Sequence, residues 1–356
     1  MAHLDSDISN AIKVARVLCI LFVVYPHIPP YSTFYDPSQG SWQAVIWFIN
    51  GTLGRNSVPL LSLVSGYLCY WTTRNKPYVS VLAGKFKVLI IPMVLWNLIA
   101  TTKRWFFAEE VGNDWLNLML ALSESPAITP LYFLRDVFVC FLFLPLLLRA
   151  NRFSLMIVLI ALAINSVYRF NEIFFISKYI PLFFVSGYVI AKESLNLKFS
   201  NQSLTNYALF FFAILALGVV GVEFMSLPEW LKRSLLVVNR LTGASFMWCV
   251  SLKLARMPIL VLIKKIEPSI FLMFCSHTLF IGLFWKALLF AGLEYWTGAH
   301  VVVFTMLPFI VLTAVYLSDH LILKRLPAIR QRLVGNRGSK VRRKNVATTN
   351  DVTRCN

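Results

Sequence analysis

Apolar residues gather into runs of about 18 to 22 along this chain, enough for a helix to cross roughly 30 Å of hydrocarbon. Only short polar stretches separate them. Hydropathy and the charges at run boundaries place about ten spans, near residues 12–30, 44–70, 86–107, 130–149, 153–170, 179–192, 204–225, 235–252, 268–291 and 300–319, the sixth being short. The pattern predicts an all-α fold, a polytopic transmembrane helical bundle over residues 1–322, with 323–356 a basic tail expected to be disordered. The first run, Val17 to Ile28, is as long as a signal-peptide core but has no small-x-small cleavage site and ends Tyr-Pro-His-Ile-Pro-Pro. It is therefore expected to be retained.

Composition agrees with this pattern. With 58% hydrophobic and only 14% charged residues among 356, there is too little polar surface to cover a soluble globule of this size. Charge then sets the orientation. Lysines and arginines such as Lys13, Arg16, Arg74, Lys253 and Lys264 crowd one set of span ends, while the opposite ends hold fewer, among them Lys103, Arg104, Lys232, Arg233 and Arg240. Both termini are expected in the cytoplasm, in a multi-pass protein of a bacterial cytoplasmic (inner) membrane. The net charge of +18 comes largely from these ends and from the tail between Lys324 and Arg354, which suits anionic lipid headgroups. No aromatic-basic module accompanies it, so nucleic acid is not expected as a partner. Cys19, Cys69, Cys140, Cys249, Cys275 and Cys355 lack metal-ligand spacing or evident disulfide partners, and no metal is expected. Of the outer connections, the stretch from Ala108 to Thr129 carries Glu109, Glu110, Asp114, Glu124 and Trp115, the pattern of an amphipathic helix at the surface.

Chemistry centres on Arg16 and His27 of the first span. Eleven residues at about 100° each return to within roughly 20° of one helix face, and at 1.5 Å per residue the two lie about 16 Å apart. An ionisable residue within a span usually faces a cavity, and a near-neutral imidazole suits a general base. An interfacial histidine beside an anchoring arginine remains the plainer alternative. The run from Gly51 to Leu68 holds Arg55, Ser65 and Tyr67, where a guanidinium needs a polar or anionic partner and small residues permit close packing. Lys85 and Lys87 open the third span and could hold phosphates or snorkel to lipid. Tyr132, Arg135 and Asp136 stand at the start of the fourth, where the adjacent charges could pair or contact a sugar. Ser186-Gly187-Tyr188 echoes Ser65-Gly66-Tyr67 and suggests one packing device used twice; His277, after Ser276, is a second histidine inside a span.

In this order the motifs resemble the acyltransferase-3 family of integral membrane acyltransferases that modify surface glycans, over roughly residues 10 to 320. The resemblance rests on Arg16 and His27, on the Arg55 to Tyr67 run against the family's Val-Pro-Leu-Phe-Phe-x-x-Ser-Gly-Tyr pattern, on the basic stretch before Ile91-Pro92, and on Tyr132 to Arg135, Pro181 to Tyr188 and Ser276-His277. It implies that cytoplasmic acetyl-CoA, or a succinyl or other acyl-CoA, donates to a hydroxyl of a polysaccharide, lipopolysaccharide or oligosaccharide on the far side. His27 would be the catalytic base, and Arg16 with Lys85 and Lys87 would bind the donor. Lysines stand where the family often has arginines, Pro26 precedes the histidine, and Leu61-Ser62 replace the paired phenylalanines. A polysaccharide or lipid-linked-sugar exporter and a non-catalytic subunit of a glycan assembly complex are the other classes open to such a chain. Export should survive loss of His27, and a subunit should gain no stability from coenzyme A.

Overall fold

Asp5 opens the first helix, α1 (Ser6–Phe22), by accepting the amide of Asp7 at 2.8 Å. Its far end tightens into a 3-10 turn, Tyr25–His27, at Pro26, which has no amide to continue the ladder. The computed structural model describes residues 5–31, 35–106, 115–122, 126–168, 175–195, 197 and 199–335. Glu109, Glu110, Asp114 and Glu124 of the expected interfacial helix lie outside them, as do Arg169, Lys198 and residues 336–356 of the expected tail.

All regular structure among the described residues is helical. After α1 come α2 (Ser41–Ile49), α3 (Ser57–Thr73), α4 (Tyr78–Lys85), α5 (Ile91–Phe106), the short α6 (Trp115–Leu120), α7 (Tyr132–Leu142) and α8 (Leu144–Arg149). They are followed by α9 (Arg152–Tyr168), α10 (Ile180–Lys192), α11 (Asn201–Phe224), α12 (Glu229–Ala255), α13 (Leu260–Phe290), α14 (Gly298–Leu321) and α15 (Pro327–Val334). Among the described residues, six stretches are long and apolar enough to cross a membrane: Ser6–His27, Tyr78–Phe106, Asn201–Phe224, Glu229–Ala255, Leu260–Phe290 and Gly298–Arg325; α9 and α10 are shorter apolar helices. The protein is a polytopic helical membrane protein. Two expected spans are broken helices instead. A π-helical turn, Asn50–Gly54, separates α2 from α3, and Phe143 separates α7 from α8. The first break falls where Thr52, Asn56 and Ser57 turn their side chains back onto main-chain carbonyls, as in Thr52 Oγ1 to the Phe48 carbonyl at 2.7 Å and Asn56 Nδ2 to that of Thr52 at 2.8 Å.

At the centre α1 packs against α12, α13 and α3 and buries Ile8, Ala11, Val14, Ala15, Cys19 and Val24. The outer surface is apolar, with Leu209, Phe210 and Leu217 of α11 and Val261 of α13 exposed, as a lipid solvent requires. The echo of Ser-Gly-Tyr is a single contact: α3 crosses α10 with Gly66 against the Phe184 main chain and Gly187 against that of Leu63. Cys19, Cys69, Cys140, Cys249 and Cys275 are buried free thiols.

Of the stretch expected as a tail from 323, the described residues begin with helical structure. Residues Leu323–Arg325 form a 3-10 turn and α15 follows. Arg330 donates through Nε to Asp319 Oδ1 at 2.6 Å and through Nη2 to Oδ2 at 3.0 Å, Ser269 donates to the same carboxylate at 2.6 Å, and Trp96 Nε1 reaches the Leu333 carbonyl at 3.2 Å. The basic composition hid this anchor because its partner, Asp319, stands within an apolar run. Asp319→Ala should cost about 1–3 kcal/mol, the usual scale of charged hydrogen bonds, read as a lower melting temperature of the purified protein.

Candidate functional site

Arg16 and His27 both face α13. At one end of the bundle Arg16 Nη1 pairs with Glu267 Oε1 at 3.3 Å, and eleven residues on the His27 ring lies 5.4 Å, centroid to centroid, from that of His277. The two segments therefore run side by side in the same direction, each with a charged residue followed about three turns later by a histidine. Pro26 sets the height of His27 by ending the α-helical ladder just before it.

His277 is fully buried, and its Nδ1 lies 2.8 Å from the Phe274 carbonyl and 3.2 Å from that of Met273. A carbonyl only accepts, so Nδ1 carries the proton and Nε2 presents a lone pair. That Nε2 is buried with no protein hydrogen-bond partner. A buried acceptor left open costs stability, and such atoms mark places where a ligand or water completes the set.

A cavity of about 1250 Å³ lies beside Arg16 and extends to Phe274, whose ring is 6.3 Å from that of His277; the histidines themselves stand behind its lining. Pockets for small ligands run to about 300–1,000 Å³, so there is room for a large one. Its mouth is cationic, with Lys13, Arg16, Lys85, Lys324 and Arg330, and Glu267 is its lining acid. Deeper in, the wall turns apolar through Leu61, Val64, Leu134 and Val137 and ends at Phe133, Phe271 and Phe274. The Phe274 ring stacks near Phe271 at 6.4 Å, meets Phe133 edge-on at 5.7 Å and lies 6.3 Å from His277. One space thus joins several cations to an apolar wall whose Phe274 lies next to His277.

The acyltransferase domain model of the acyltransferase-3 family matches residues 9–318. The chain belongs to the acyltransferase-3 family. It is also similar to the succinoglycan biosynthesis protein ExoH of Rhizobium meliloti (strain 1021), with 27% identity over 354 residues covering 94% of each chain. No solved structure matches. An acyltransferase of this family needs an acyl donor, and the donor residues expected from the sequence fare unequally. Arg16 and Lys85 line the cavity, the Lys85 ammonium standing 4.3 Å over the Phe141 ring. Lys87 does not. It sits two residues further along the helix, about 200° round, and is exposed outside the cavity.

The remaining expected residues scatter. Ser65 lines the cavity but returns its hydroxyl to the Leu61 carbonyl at 2.7 Å. Tyr67, on the same helix, lies beside the core outside the cavity. Asp136 is fully buried and accepts from Arg135 Nη1 at 2.8 Å, from the Ser177 amide at 2.7 Å and from the Ile176 amide at 3.2 Å. With that many donors it clasps the segment leading into α10 and has little left for a sugar. Arg135 completes the clasp by reaching the Leu122 carbonyl at 3.1 Å. Tyr132 lies within electrostatic reach of Arg240, and Arg55 lines a separate small pocket at the His27 end.

Several residues that line the cavity carry no distinct signal in the sequence. Glu267 falls one residue before the expected ninth span, although its ten-residue spacing to His277 nearly repeats that of Arg16 to His27. Phe133, Phe271 and Phe274 look like ordinary span residues. Lys324 and Arg330 were taken into the tail.

Proposed function

We propose that the protein is a membrane O-acyltransferase that moves an acyl group, acetyl in the first instance, from cytoplasmic acetyl-CoA to a hydroxyl of a cell-surface or periplasmic glycan. The observation that carries this reading is a cavity lined by the cations Arg16 and Lys85 and by Phe274, which packs on His277, itself 5.4 Å from His27. Coenzyme A has phosphates at one end, a long thin arm and a thioester at the other, and the cavity offers cations and an apolar wall, with the imidazoles next to its aromatic residues. The topology proposed with it is ten crossings with both termini in the cytoplasm, which puts the cationic mouth on the donor side and His27 toward the acceptor side. The membrane is proposed to be the bacterial inner membrane.

In this scheme the His27 imidazole takes the proton of the acceptor hydroxyl as that oxygen attacks the thioester carbonyl. The tetrahedral adduct collapses, the carbon–sulfur bond breaks, and the coenzyme A thiolate leaves with the proton returned from His27. The products are an ester and free coenzyme A, with no other reactant needed. His277 is proposed to limit the rotation of the His27 ring by packing against it at 5.4 Å. The apolar floor of Phe133, Phe271 and Phe274 suits the small uncharged acetyl group. The similarity to a succinoglycan biosynthesis protein makes succinyl the second donor to test.

Membranes containing the protein, supplied with labelled acetyl-CoA or succinyl-CoA and a panel of surface oligosaccharides, should transfer label to glycan. No transfer from either donor to any acceptor would remove the reading, and export of whole glycans without acyl-CoA would replace it by transport. Arg16→Ala should raise the donor KM about tenfold or more with a smaller change in kcat, because it removes a contact to phosphate made equally in the ground and transition states. Lys87→Ala, outside the cavity, should leave the donor KM where it was.

A further inference from the structure

Beyond the donor cavity, a second and smaller pocket lies at the π-helical turn that packs on Pro26. Gly54, in the π-helical turn between α2 and α3, packs so closely on Pro26 that an added Cβ would stand 2.7 Å from the proline Cδ. The pocket wall of Asn50, Gly51 and Arg55 is thus the same turn that touches the residue before His27. The wall opposite comes from Val219 to Glu223 at the end of α11 and from Asn239 and Arg240 of α12.

Its electrostatics are uneven. The described lining residues include two guanidiniums, Arg55 and Arg240, and one carboxylate, Glu223, which attracts Arg55 and accepts the Tyr35 amide at 3.2 Å. Arg240 has Nη1 3.3 Å from Asn56 Oδ1, a long contact, and its guanidinium carbon lies 5.7 Å from the Tyr179 ring centre. Both guanidiniums line this one pocket. Two like charges facing one small space beside an apolar bundle are stabilised by an anion between them. Asn56 presses on Gly243 and Asn239 on Gly218, which fixes both amides that flank the cations.

We propose that this pocket binds a carboxylate carried by the acceptor glycan, and so orients a neighbouring hydroxyl toward His27. The proposal rests on the acyl-transfer reading for the identity of the ligand. The pocket volume is about 50 Å³. A water-sized probe needs about 10–15 Å³, so there is room for on the order of four heavy atoms, a carboxylate and its carbon rather than a whole sugar ring. The planar fork of a guanidinium matches a carboxylate in two parallel hydrogen bonds. The rest of the sugar would lie over Trp47, which lines the pocket and packs with Tyr35 at 5.6 Å and Phe224 at 6.3 Å to make an aromatic platform.

The test pairs two oligosaccharide acceptors that differ only in one carboxylate, a uronic or ketal-linked acid against its methyl ester, offered to the purified full-length protein with acetyl-CoA and with succinyl-CoA. The wild type should favour the acid by about tenfold or more in kcat/KM, and Arg240→Gln should bring that ratio close to one, with Arg240→Lys in between. Absence of preference in the wild type would overturn the proposal, as would a ratio unchanged by Arg240→Gln. A variant that loses discrimination between succinyl and acetyl donors while keeping its preference among acceptors would also overturn it, since the pocket would then read the donor. Direct binding of the acid oligosaccharide, measured by calorimetry without donor, separates the two layers. Arg240-dependent binding with no transfer keeps the pocket and sinks the acyltransferase reading; transfer without Arg240-dependent binding does the reverse. Stabilisation of Arg240→Gln by coenzyme A shows that the variant is folded.

Discussion

His27→Ala should lower kcat/KM for acyl transfer by about 10²–10⁴-fold, the range that a positioned general base contributes. The loss should fall on kcat, because the imidazole acts on the reacting hydroxyl and not on the phosphates some three helical turns away. Coenzyme A should still raise the melting temperature of the variant, since the Arg16 and Lys85 mouth is untouched. That pairing of lost turnover with kept binding is what separates a base from a packing residue. Full activity of His27→Ala at normal expression would end the mechanism. Loss of coenzyme A stabilisation together with activity would show instead that the substitution had opened the bundle.

Much of this arrangement was legible because the membrane makes polar residues expensive. A histidine and an arginine eleven residues apart in an apolar run can only share a face, and the structure puts both against α13. Helix existence was equally legible, since hydrophobic runs of span length have no other way to satisfy their backbone. What hydropathy could not register is pairing between distant segments. Asp319 and Arg330 look like a span end and a tail cation until they meet, and Glu267 looks like a boundary charge until Arg16 is opposite it. Averaging over a window also hides local breaks. The polar side chains of Thr52 and Asn56 satisfy the π-helical turn from within, so a run that counts as one span is two helices with a pocket at their joint. The adjacent lysines illustrate the converse: Lys85 and Lys87 are neighbours in sequence but lie on opposite faces, and only one can serve the cavity.

The largest effect on folding is expected at the crossing of α3 and α10. In a membrane there is no hydrophobic gain from bringing two apolar helices together, so their association depends on close packing of the backbones. Here the approach is closest where Gly66 lies on the Phe184 carbonyl and Gly187 lies on that of Leu63, and a methyl group at either position would overlap the opposing main-chain oxygen. Main chain cannot rotate aside as a side chain does. The helices would have to part by more than an ångström, and overpacking that moves backbone costs about 1–3 kcal/mol or more. The strain would spread to the active site, because α3 also supplies Leu61, Val64 and Ser65 to the cavity and packs on α1. Gly66→Ala and Gly187→Ala should each lower the yield of folded protein several-fold and reduce coenzyme A stabilisation, whereas Gly84→Ala and Gly282→Ala, which would meet nothing within 4 Å, should behave as the wild type. Wild-type yield and stability for Gly66→Ala would mean that the two helices have slack at this crossing, and that the repeated Ser-Gly-Tyr owes its small residue to something other than packing.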